Sequence, residues 1–261
     1  MILLLSGTSE GRVLGARLRE AGLPFVASVT TPEARALFAK IDPPPEVLVT
    51  RFSDDSLAAF LRERRVSAIL DATHPFARRI SENAQQAAAQ ANIAYVRYER
   101  PTSTLSAGIG EVTVVPDLEA AARVCLERGT RIFLTTGTKT LLTFREVMAR
   151  KLVMARILPT VASLTQALDA GLAPGQILAL RGPFSQALEC ALLREYRIDL
   201  LVTKESGAAG GLDTKLAAAA ELHVPAVVVS RPEFPYPNLC HDLGQAVQTV
   251  MALMGKDASH G

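Results

Sequence analysis

The chain has 261 residues, of which 49% are hydrophobic and 21% charged, which is typical of a globular protein large enough for two hydrophobic cores. The formal net charge of +2 is too small to indicate a nucleic-acid partner. The three cysteines show no Cys-x-x-Cys spacing, the four histidines show no metal-ligand spacing, and no apolar run is long enough to span a bilayer. We therefore expect a cytoplasmic protein without a metal site or a membrane partner.

Short β-rich runs alternate with stretches of helical apolar spacing along the chain. The predicted strands are Ile2–Leu5, Phe25–Val29, Glu46–Val49, Ala68–Leu70, Ala94–Val96, Val112–Val115, Arg131–Leu134, Leu152–Ala155, Gln176–Leu180, Leu200–Val202 and Ala226–Val229. The predicted helices are Arg12–Ala21, Ser56–Arg64, Ala77–Ala91, Leu118–Glu127, Ser185–Tyr196, Leu212–Leu222 and Asp242–Met254. Strands that alternate with helices pair in parallel through right-handed crossovers. The expected fold class is α/β, with two Rossmann-like doubly wound domains, mainly parallel sheets and an interdomain cleft.

The predicted domain boundary lies in residues 98–110, where Arg100-Pro101 begins a Ser/Thr/Gly-rich stretch with little periodicity. We expect an N-terminal domain over residues 1–100 and a C-terminal domain over residues 101–261. The sequence leaves open which of the two domains the terminal helix 242–254 packs on.

The first predicted strand ends in a turn rich in glycine and hydroxyl groups, Ser6-Gly7-Thr8-Ser9-Glu10-Gly11, which opens the first helix. In a mononucleotide-binding half-domain, this turn holds phosphate on the N–H groups of the helix N-terminus. The turn is not G-x-G-x-x-G, but its hydroxyl groups suit phosphate oxygens. The pattern predicts a cofactor site that includes Gly7, Thr8, Ser9 and Glu10, with a plain helix start as the alternative.

The second predicted strand ends in Thr30-Thr31, where NAD enzymes usually have an acidic residue that binds the ribose 2′-hydroxyl. The missing carboxylate removes repulsion against a 2′-phosphate, and Arg35 follows closely in the sequence. NADP is therefore the better match if a dinucleotide binds, with Thr30 and Thr31 as candidate contacts. A plain strand exit is the alternative.

The fourth predicted strand continues into Asp71-Ala72-Thr73-His74-Pro75. Pro75 suits the first position of a helix. Imidazole titrates near neutral pH, so His74 beside Asp71 is a candidate for proton chemistry. An isolated histidine in a structural role is the alternative.

The second half of the chain repeats these polar strand exits. A hydroxyl-rich turn with a lysine, Thr135–Thr140, follows one predicted strand, and Lys204-Glu205-Ser206-Gly207 follows another. Several cations on one sheet edge suit a ligand with many carboxylates, because each pair is charge-assisted. The parallel topology predicts such a cationic rim, formed by Lys139, Arg156, Arg181, Lys204 and Arg231.

Seven motifs in order make the chain similar to the precorrin-6A reductase family of cobalamin biosynthesis, which includes a cobalt-precorrin-6A counterpart. The motifs are Ser6-Gly-Thr-Ser-Glu-Gly11, Asp71-Ala-Thr-His-Pro-Phe-Ala77, Arg97-Tyr-Glu-Arg-Pro101, Thr135-Thr-Gly-Thr-Lys139, Arg156-Ile-Leu-Pro-Thr160, Arg181-Gly-Pro-Phe-Ser185 and Val202-Thr-Lys-Glu-Ser-Gly207. The resemblance extends from Met1 to Pro232, and it departs from the family at Ser6, where a glycine is common.

The resemblance implies an NADPH-dependent oxidoreductase, acting on a CH–CH group, that reduces one ring double bond of precorrin-6A, or of its cobalt form, to give precorrin-6B. The acetate and propionate groups of this polycarboxylate corrin precursor match the cationic rim. The expected catalytic residues are His74 and Lys204. The expected NADPH contacts are Gly7, Thr8, Ser9, Glu10, Thr30, Thr31, Thr73, Pro75, Glu205 and Ser206. The expected substrate contacts are Thr136, Lys139, Arg181 and Arg231.

Two alternatives remain at this point. One is a non-redox tetrapyrrole enzyme of the uroporphyrinogen-synthase type, which needs no nucleotide, and the other is a two-lobed protein that closes on an anion without chemistry. The glycine-rich first turn and the Thr30-Thr31 exit favour a nucleotide site over both. The sequence leaves open whether the substrate contains cobalt, which group donates the proton, which hydride face is used and what the oligomeric state is.

Overall fold

A computed structural model of the chain describes residues 1–101, 110–206, 210–232 and 234–257. The chain divides into two compact units, Met1–Pro101 with Glu233–Gly261, and Thr102–Pro232. We refer to them as the first unit and the second unit. No helix among the described residues is both long enough and apolar enough to cross a membrane.

Strands and helices alternate in both units. The strands in the described residues are β1 Ile2–Ser6, β2 Phe25–Val29, β3 Glu46–Val49, β4 Ala68–Ala72, β5 Ala94–Tyr98, β6 Val112–Val115, β7 Arg131–Leu134, β8 Leu152–Ile157, β9 Ile177–Ala179, β10 Leu200–Lys204, β11 Ala226–Val229 and β12 Leu239–Cys240. The α-helices are α1 Ser9–Glu20, α2 Pro32–Phe38, α3 Asp54–Glu63, α4 Arg78–Gln90, α5 Leu118–Glu127, α6 Arg145–Arg150, α7 Val161–Asp169, α8 Gln186–Glu195, α9 Leu212–Glu221 and α10 Leu243–Asp257. Two 3₁₀-helices span Thr138–Phe144 and Pro174–Gln176.

The first unit contains a six-stranded parallel sheet in the order β12-β5-β4-β1-β2-β3. With β12 as its sixth strand, this is the 3-2-1-4-5-6 order of a doubly wound dinucleotide-binding sheet. The strand order reverses between β1 and β4, and their register pairs Ser6 with Ala72. The carboxyl ends of these two strands therefore lie side by side at the topological switch point.

The second unit contains a parallel sheet in the order β6-β11-β10-β7-β8-β9. This is the same order with β7 as the first strand, except that β6, which precedes β7 in the chain, takes the sixth position. The switch point lies between β7 and β10, where Leu134 pairs with Val202. The predicted fold class, α/β with two doubly wound parallel sheets, is confirmed.

Helices cover both faces of the first sheet. Ile2 and Leu4 of β1 belong to a core that includes residues of α1 and α10, whereas Leu3 and Leu5 belong to a second core that includes residues of α3 and α4. Because successive side chains of a strand point to opposite faces, an apolar run without alternation indicates a strand buried on both sides. The sequence of β1 up to Leu5 is an uninterrupted apolar run because helices cover both of its faces.

The C-terminal helix α10 packs in the first unit, against α1, β4 and β5. Its residues Ala246 and Val250 are fully buried in the core of that unit. The sequence-based division assigned all residues from 101 onward to the second domain and left the position of this helix open. The structure groups residues 234–257 with the first unit, and most of the predicted linker, residues 102–109, lies outside the described residues.

Candidate functional site

Polar residues follow the strands on either side of each switch point. We define the first-unit switch point as residues 6–11 and 72–77, which end β1 and β4, and the second-unit switch point as residues 135–140 and 203–206, which end β7 and β10. Ligands of open α/β sheets bind at such points, outside the carboxyl ends of the strands.

Most of the described helices away from the switch points begin with side-chain caps. The helices α2, α3, α5, α7, α8 and α10 each have a Thr, Ser or Asp oxygen that accepts a hydrogen bond from the backbone N–H three residues later, at Thr31, Ser53, Asp117, Thr160, Ser185 and Asp242. Such caps satisfy N–H groups that would otherwise have no partner.

The four helices that follow the switch-point strands begin without such a cap. Their N-cap residues are Thr8, Ala77, Gly137 and Gly211, none of which makes a side-chain cap hydrogen bond in the described residues. Only α6, which continues a 3₁₀-helix, and the single turn at 174–176 share this property among the described helices. Uncapped N-termini beside strand ends are the arrangement that receives an anionic ligand group.

Gly7 is required by the close approach of the turn after β4. Its N–H donates to the Ala72 carbonyl at 3.3 Å, and a Cβ at Gly7 would lie 3.1 Å from the His74 backbone nitrogen. Thr8 is a strong capping residue by type, but its hydroxyl donates to the Ala72 carbonyl at 3.2 Å instead. The two turns of the first-unit switch point are thus fastened to each other.

Glu10 lies in the first turn of α1 and forms an ion pair with Arg100. Its Oε2 atom accepts from the Ser9 hydroxyl at 2.9 Å and from the Arg100 guanidinium at 3.1 Å. Burial alone would raise the pKa of Glu10, but its own backbone N–H, Arg100 and Ser9 together lower it. Arg100 therefore compensates a carboxylate that stands at the helix end where an anion would bind.

A buried ion pair lies beneath the turn after β4. Asp71 and Arg97 are both fully buried, and the Asp71 Oδ1 atom accepts from the Arg97 guanidinium at 2.7 Å and from the Thr73 N–H at 2.9 Å. The other carboxylate oxygen accepts from the Tyr95 hydroxyl at 2.7 Å. On its far side, Arg97 donates to Glu99 at 3.0 Å. Asp71 is thus a structural anchor rather than part of a proton relay.

The hydroxyl of Thr73 belongs to the same network. It accepts a hydrogen bond from Arg97 at 2.8 Å and lies 3.1 Å from the Ser81 hydroxyl. Thr73 is therefore held in one orientation next to His74.

His74 has a fixed ring orientation. Its Nδ1 atom accepts a hydrogen bond from the Phe76 N–H at 3.2 Å, so Nε2 bears the proton in the neutral ring. The expectation that Pro75 starts the next helix is wrong, because the Ala77 N–H bonds the His74 carbonyl at 2.7 Å in a turn and α4 begins only at Arg78.

The second strand exit is exposed to solvent. Thr30, Thr31 and Arg35 are all exposed. The Thr31 hydroxyl accepts from the Ala34 N–H at 3.2 Å as the cap of α2, so only its proton remains for an outside acceptor. Arg35 forms no ion pair with another described residue and keeps its guanidinium available.

In the second unit, Lys139 and Lys204 influence each other electrostatically. Lys139 is exposed in the 3₁₀-helix after β7, and Lys204 is half-buried at the end of β10. Burial lowers the pKa of Lys204, and the positive charge of Lys139 lowers it further. Thr136 lies nearby in the turn, where its hydroxyl pairs with that of Thr140 at 2.7 Å.

Glu205 and Arg231, which were expected to contact different ligands, bind each other. The Arg231 Nε atom donates to the Glu205 carbonyl at 3.2 Å and lies 3.5 Å from its carboxylate. Ser206 is buried beside Gly210, where a Cβ would lie 2.1 Å from the Ser206 hydroxyl. Gly11 has the same relation to Ser6 in the first unit, at 2.2 Å.

The predicted cationic rim is smaller than expected. Arg156 is buried between the rings of Phe133 and Phe184, and it donates to both oxygens of Glu189 at 2.8 and 2.9 Å, so assigning it to the rim was wrong. Arg181 is exposed beyond β9, two strands away from β7, at a distance of roughly 10 Å. Lys139 and Lys204 are the two predicted cations that the second-unit switch point brings together.

Among the described residues, no three His, Cys, Asp or Glu side chains are grouped so that they would hold a metal ion. Two Rossmann-like units with uncapped helix ends, hydroxyl groups and a lysine pair at their switch points define a protein class that binds anionic cofactors or substrates.

Comparison with known proteins agrees with this class. The sequence model of a family described as precorrin-6x reductase CbiJ/CobK matches residues 1–251. The cobalt-precorrin-6A reductase of Priestia megaterium is 35% identical over 254 residues, which are 96% of this chain and 98% of that protein. The precorrin-6A reductase of Rhodococcus erythropolis is 39% identical over 236 residues, 90% of each chain.

A solved structure described as CobK precorrin-6A reductase superposes with a TM-score of 0.76 at 30% identity, covering 100% of this chain and 97% of that one. The chain belongs to the precorrin-6x reductase family, the oxidoreductases of cobalamin biosynthesis that its motifs resemble. The synthase and binding-protein alternatives are thereby set aside.

Proposed function

We propose that the protein reduces one ring double bond of precorrin-6A, or of its cobalt form, to precorrin-6B with NADPH as the hydride donor. Family membership over residues 1–251 supports the reaction. The observation that carries the site assignment is the uncapped start of the four helices that follow the switch-point strands.

The first-unit switch point fits a dinucleotide. The N-terminus of α1 has no side-chain cap from Thr8, and the hydroxyl of Ser9 lies in its first turn. In this proposal the pyrophosphate binds there, and the exposed Thr30 and Arg35 contact the 2′-phosphate. When bound, NADPH supplies the hydride.

His74 binds or orients a ligand through Nε2–H. Because the Phe76 N–H occupies Nδ1, the neutral ring presents Nε2 as its one donor. To act as a general acid, the ring would have to be protonated at Nδ1 and give up this hydrogen bond. The proposal therefore gives His74 a positioning hydrogen bond to the ligand rather than the role of proton donor.

The second-unit switch point binds the substrate's carboxylates. Lys139 and Lys204 are two like charges whose repulsion an anion relieves, which the lowered pKa of Lys204 supports. Arg231 contributes to this site indirectly, because it compensates the negative charge of Glu205, the residue next to Lys204. Lys204 thus stabilises bound substrate as an electrostatic partner.

The function is tested by anaerobic NADPH oxidation with precorrin-6A and with its cobalt form, and with NADH in parallel. We expect turnover with at least one substrate and a preference for NADPH of about tenfold to a hundredfold, the value of one charge-assisted contact. Absence of NADPH oxidation with both substrates would refute the proposal.

The cofactor site is tested with Arg35→Ala and the matched control Arg62→Ala, which removes another exposed arginine of the same unit, in the last turn of α3. Arg35→Ala is expected to weaken NADPH binding and leave NADH binding unchanged, since only NADPH has the 2′-phosphate. The 2′-phosphate would have to bind elsewhere if Arg35→Ala weakened the binding of NADPH and NADH equally, or if the control variant weakened NADPH binding as much as Arg35→Ala.

A further inference from the structure

Lys215 is a buried lysine whose position neither the family comparison nor the reaction explains. It lies in the first turn of α9 and is only 7% exposed. A cation near a helix N-terminus opposes the helix dipole, and a buried ammonium loses its hydration. Its placement therefore costs free energy that the local contacts must offset.

Those contacts join the end of β10 to the start of α9. The Lys215 Nζ atom donates to the Gly210 carbonyl at 3.1 Å and lies 3.4 Å from the Thr203 hydroxyl, which is fully buried. Thr203 immediately precedes Lys204, and Gly210 precedes the uncapped N-cap Gly211. One ammonium thus links Thr203, the neighbour of Lys204 on β10, to Gly210, which precedes α9.

We propose that Lys215 is a positioning residue of the second-unit switch point, whose ammonium ties the end of β10 to the residue before α9 and so holds Lys204 where it binds a carboxylate of the substrate. This inference rests on the proposed function, because it assumes that Lys204 binds substrate. The ammonium supports the start of α9, which has no side-chain cap of its own.

The support depends on pH. Burial lowers the pKa of Lys215 to about 8, the charge of Arg156 on β8 acts in the same direction, and Glu189 on α8 opposes both. Because this pKa lies below the ordinary 10.5, the folded protein loses the proton as the pH rises through about 8. The neutral amine makes weaker hydrogen bonds than the ammonium, so the link between Thr203 and Gly210 weakens in alkaline solution.

The test compares substrate KM of wild type and Lys215→Met from pH 7 to pH 9. Wild-type KM is expected to rise about threefold to tenfold over this range, whereas Lys215→Met has the high KM already at pH 7 and a smaller rise. A rise of equal size in both proteins would assign the titration to Lys204 and overturn the proposal, as would a normal KM of Lys215→Met at pH 7.

Two controls separate this result from other causes. Thermal unfolding shows whether Lys215→Met folds, and removal of a buried charge by an apolar residue of similar length is often neutral or stabilising. Hydrogen exchange of residues 210–216 reports on the start of α9 independently of activity, and faster exchange is expected in the variant at pH 7. If wild type shows no NADPH-dependent reduction, the proposed function fails, while unchanged exchange in the variant refutes the role of Lys215 alone.

Discussion

Replacing Arg97 by methionine is the substitution with the largest expected effect on the first unit. Arg97 and Asp71 are fully buried, and Arg97 also compensates Glu99, whose side chain is 14% exposed. Methionine keeps much of the volume, but among the described residues it leaves the Asp71 carboxylate with only the Tyr95 hydroxyl and the Thr73 N–H as donors. Breaking a buried pair by removing one partner costs about 3–5 kcal/mol.

Urea unfolding followed by tyrosine fluorescence measures this loss. The chain has no tryptophan, and three of its four tyrosines, Tyr95, Tyr98 and Tyr236, lie in the first unit. At an m-value of roughly 2 kcal/mol per molar urea, the midpoint is expected to fall by about 2 M. Because the two units need not unfold together, the comparison concerns the transition that these tyrosines report.

The matched control is Arg64→Met in the same unit. Arg64 pairs with Glu46 on the surface, with side chains 39% and 47% exposed, and such pairs contribute about 0–1 kcal/mol. The double variant Arg97→Met/Asp71→Asn should be less destabilised than the sum of the single variants, because it removes both charges. A loss below about 1 kcal/mol in Arg97→Met would refute the assignment of Asp71 as a buried anchor.

Three further outcomes are expected. Arg100→Met should weaken NADPH binding about tenfold, because it leaves the Glu10 carboxylate uncompensated. Adding Glu10→Gln should restore most of the affinity. If NADPH titrations show that the two effects simply add, Arg100 does not compensate the charge of Glu10. Asp199→Asn should lower the free energy of unfolding by about 1–3 kcal/mol in urea at neutral pH, because its carboxylate accepts three bonds from Thr130 and one from the Arg131 N–H. The difference in unfolding free energy between wild type and Asp199→Asn should shrink in acid. Burial raises the pKa of Asp199, but these hydrogen bonds lower it overall. The stabilisation is therefore lost as the pH falls through this lowered pKa. Lys139→Ala should raise the substrate KM, and the size of this rise should depend on salt concentration. An equal rise in the exposed control Lys40→Ala would contradict the assignment of Lys139 and Lys204 to substrate binding.

Periodicity alone predicted most of the fold. The long apolar runs of β1 and β2 could be read as strands because both faces of the sheet are covered, so no polar alternation interrupts them. The two-residue strand β12 was missed, because Leu239-Cys240 has no periodicity of its own and is a strand only by pairing with Arg97 and Tyr98 of β5.

The sequence could indicate which residue types form the candidate site, but not which hydrogen-bond or ion-pair partner each side chain has. Ala77, Gly137 and Gly211 cannot cap a helix with a side-chain oxygen, so their open helix ends could have been read from the sequence. Thr8 gave the opposite signal, since its hydroxyl reaches the Ala72 carbonyl instead of its own helix. Arg156 resembled a rim residue, and only tertiary packing reveals its partner Glu189 on a helix that begins 30 residues later.

The first unit is assembled from two separate pieces of the chain, which affects the order of events during synthesis. Its sixth strand β12 and the buried residues of α10 are translated only after the whole second unit. A nascent chain that ends before β12 exposes the edge of β5 and the apolar surface that Ala246 and Val250 cover in the finished protein. The contiguous second unit is complete earlier, so folding on the ribosome finishes in the middle of the chain before it finishes at the N-terminus.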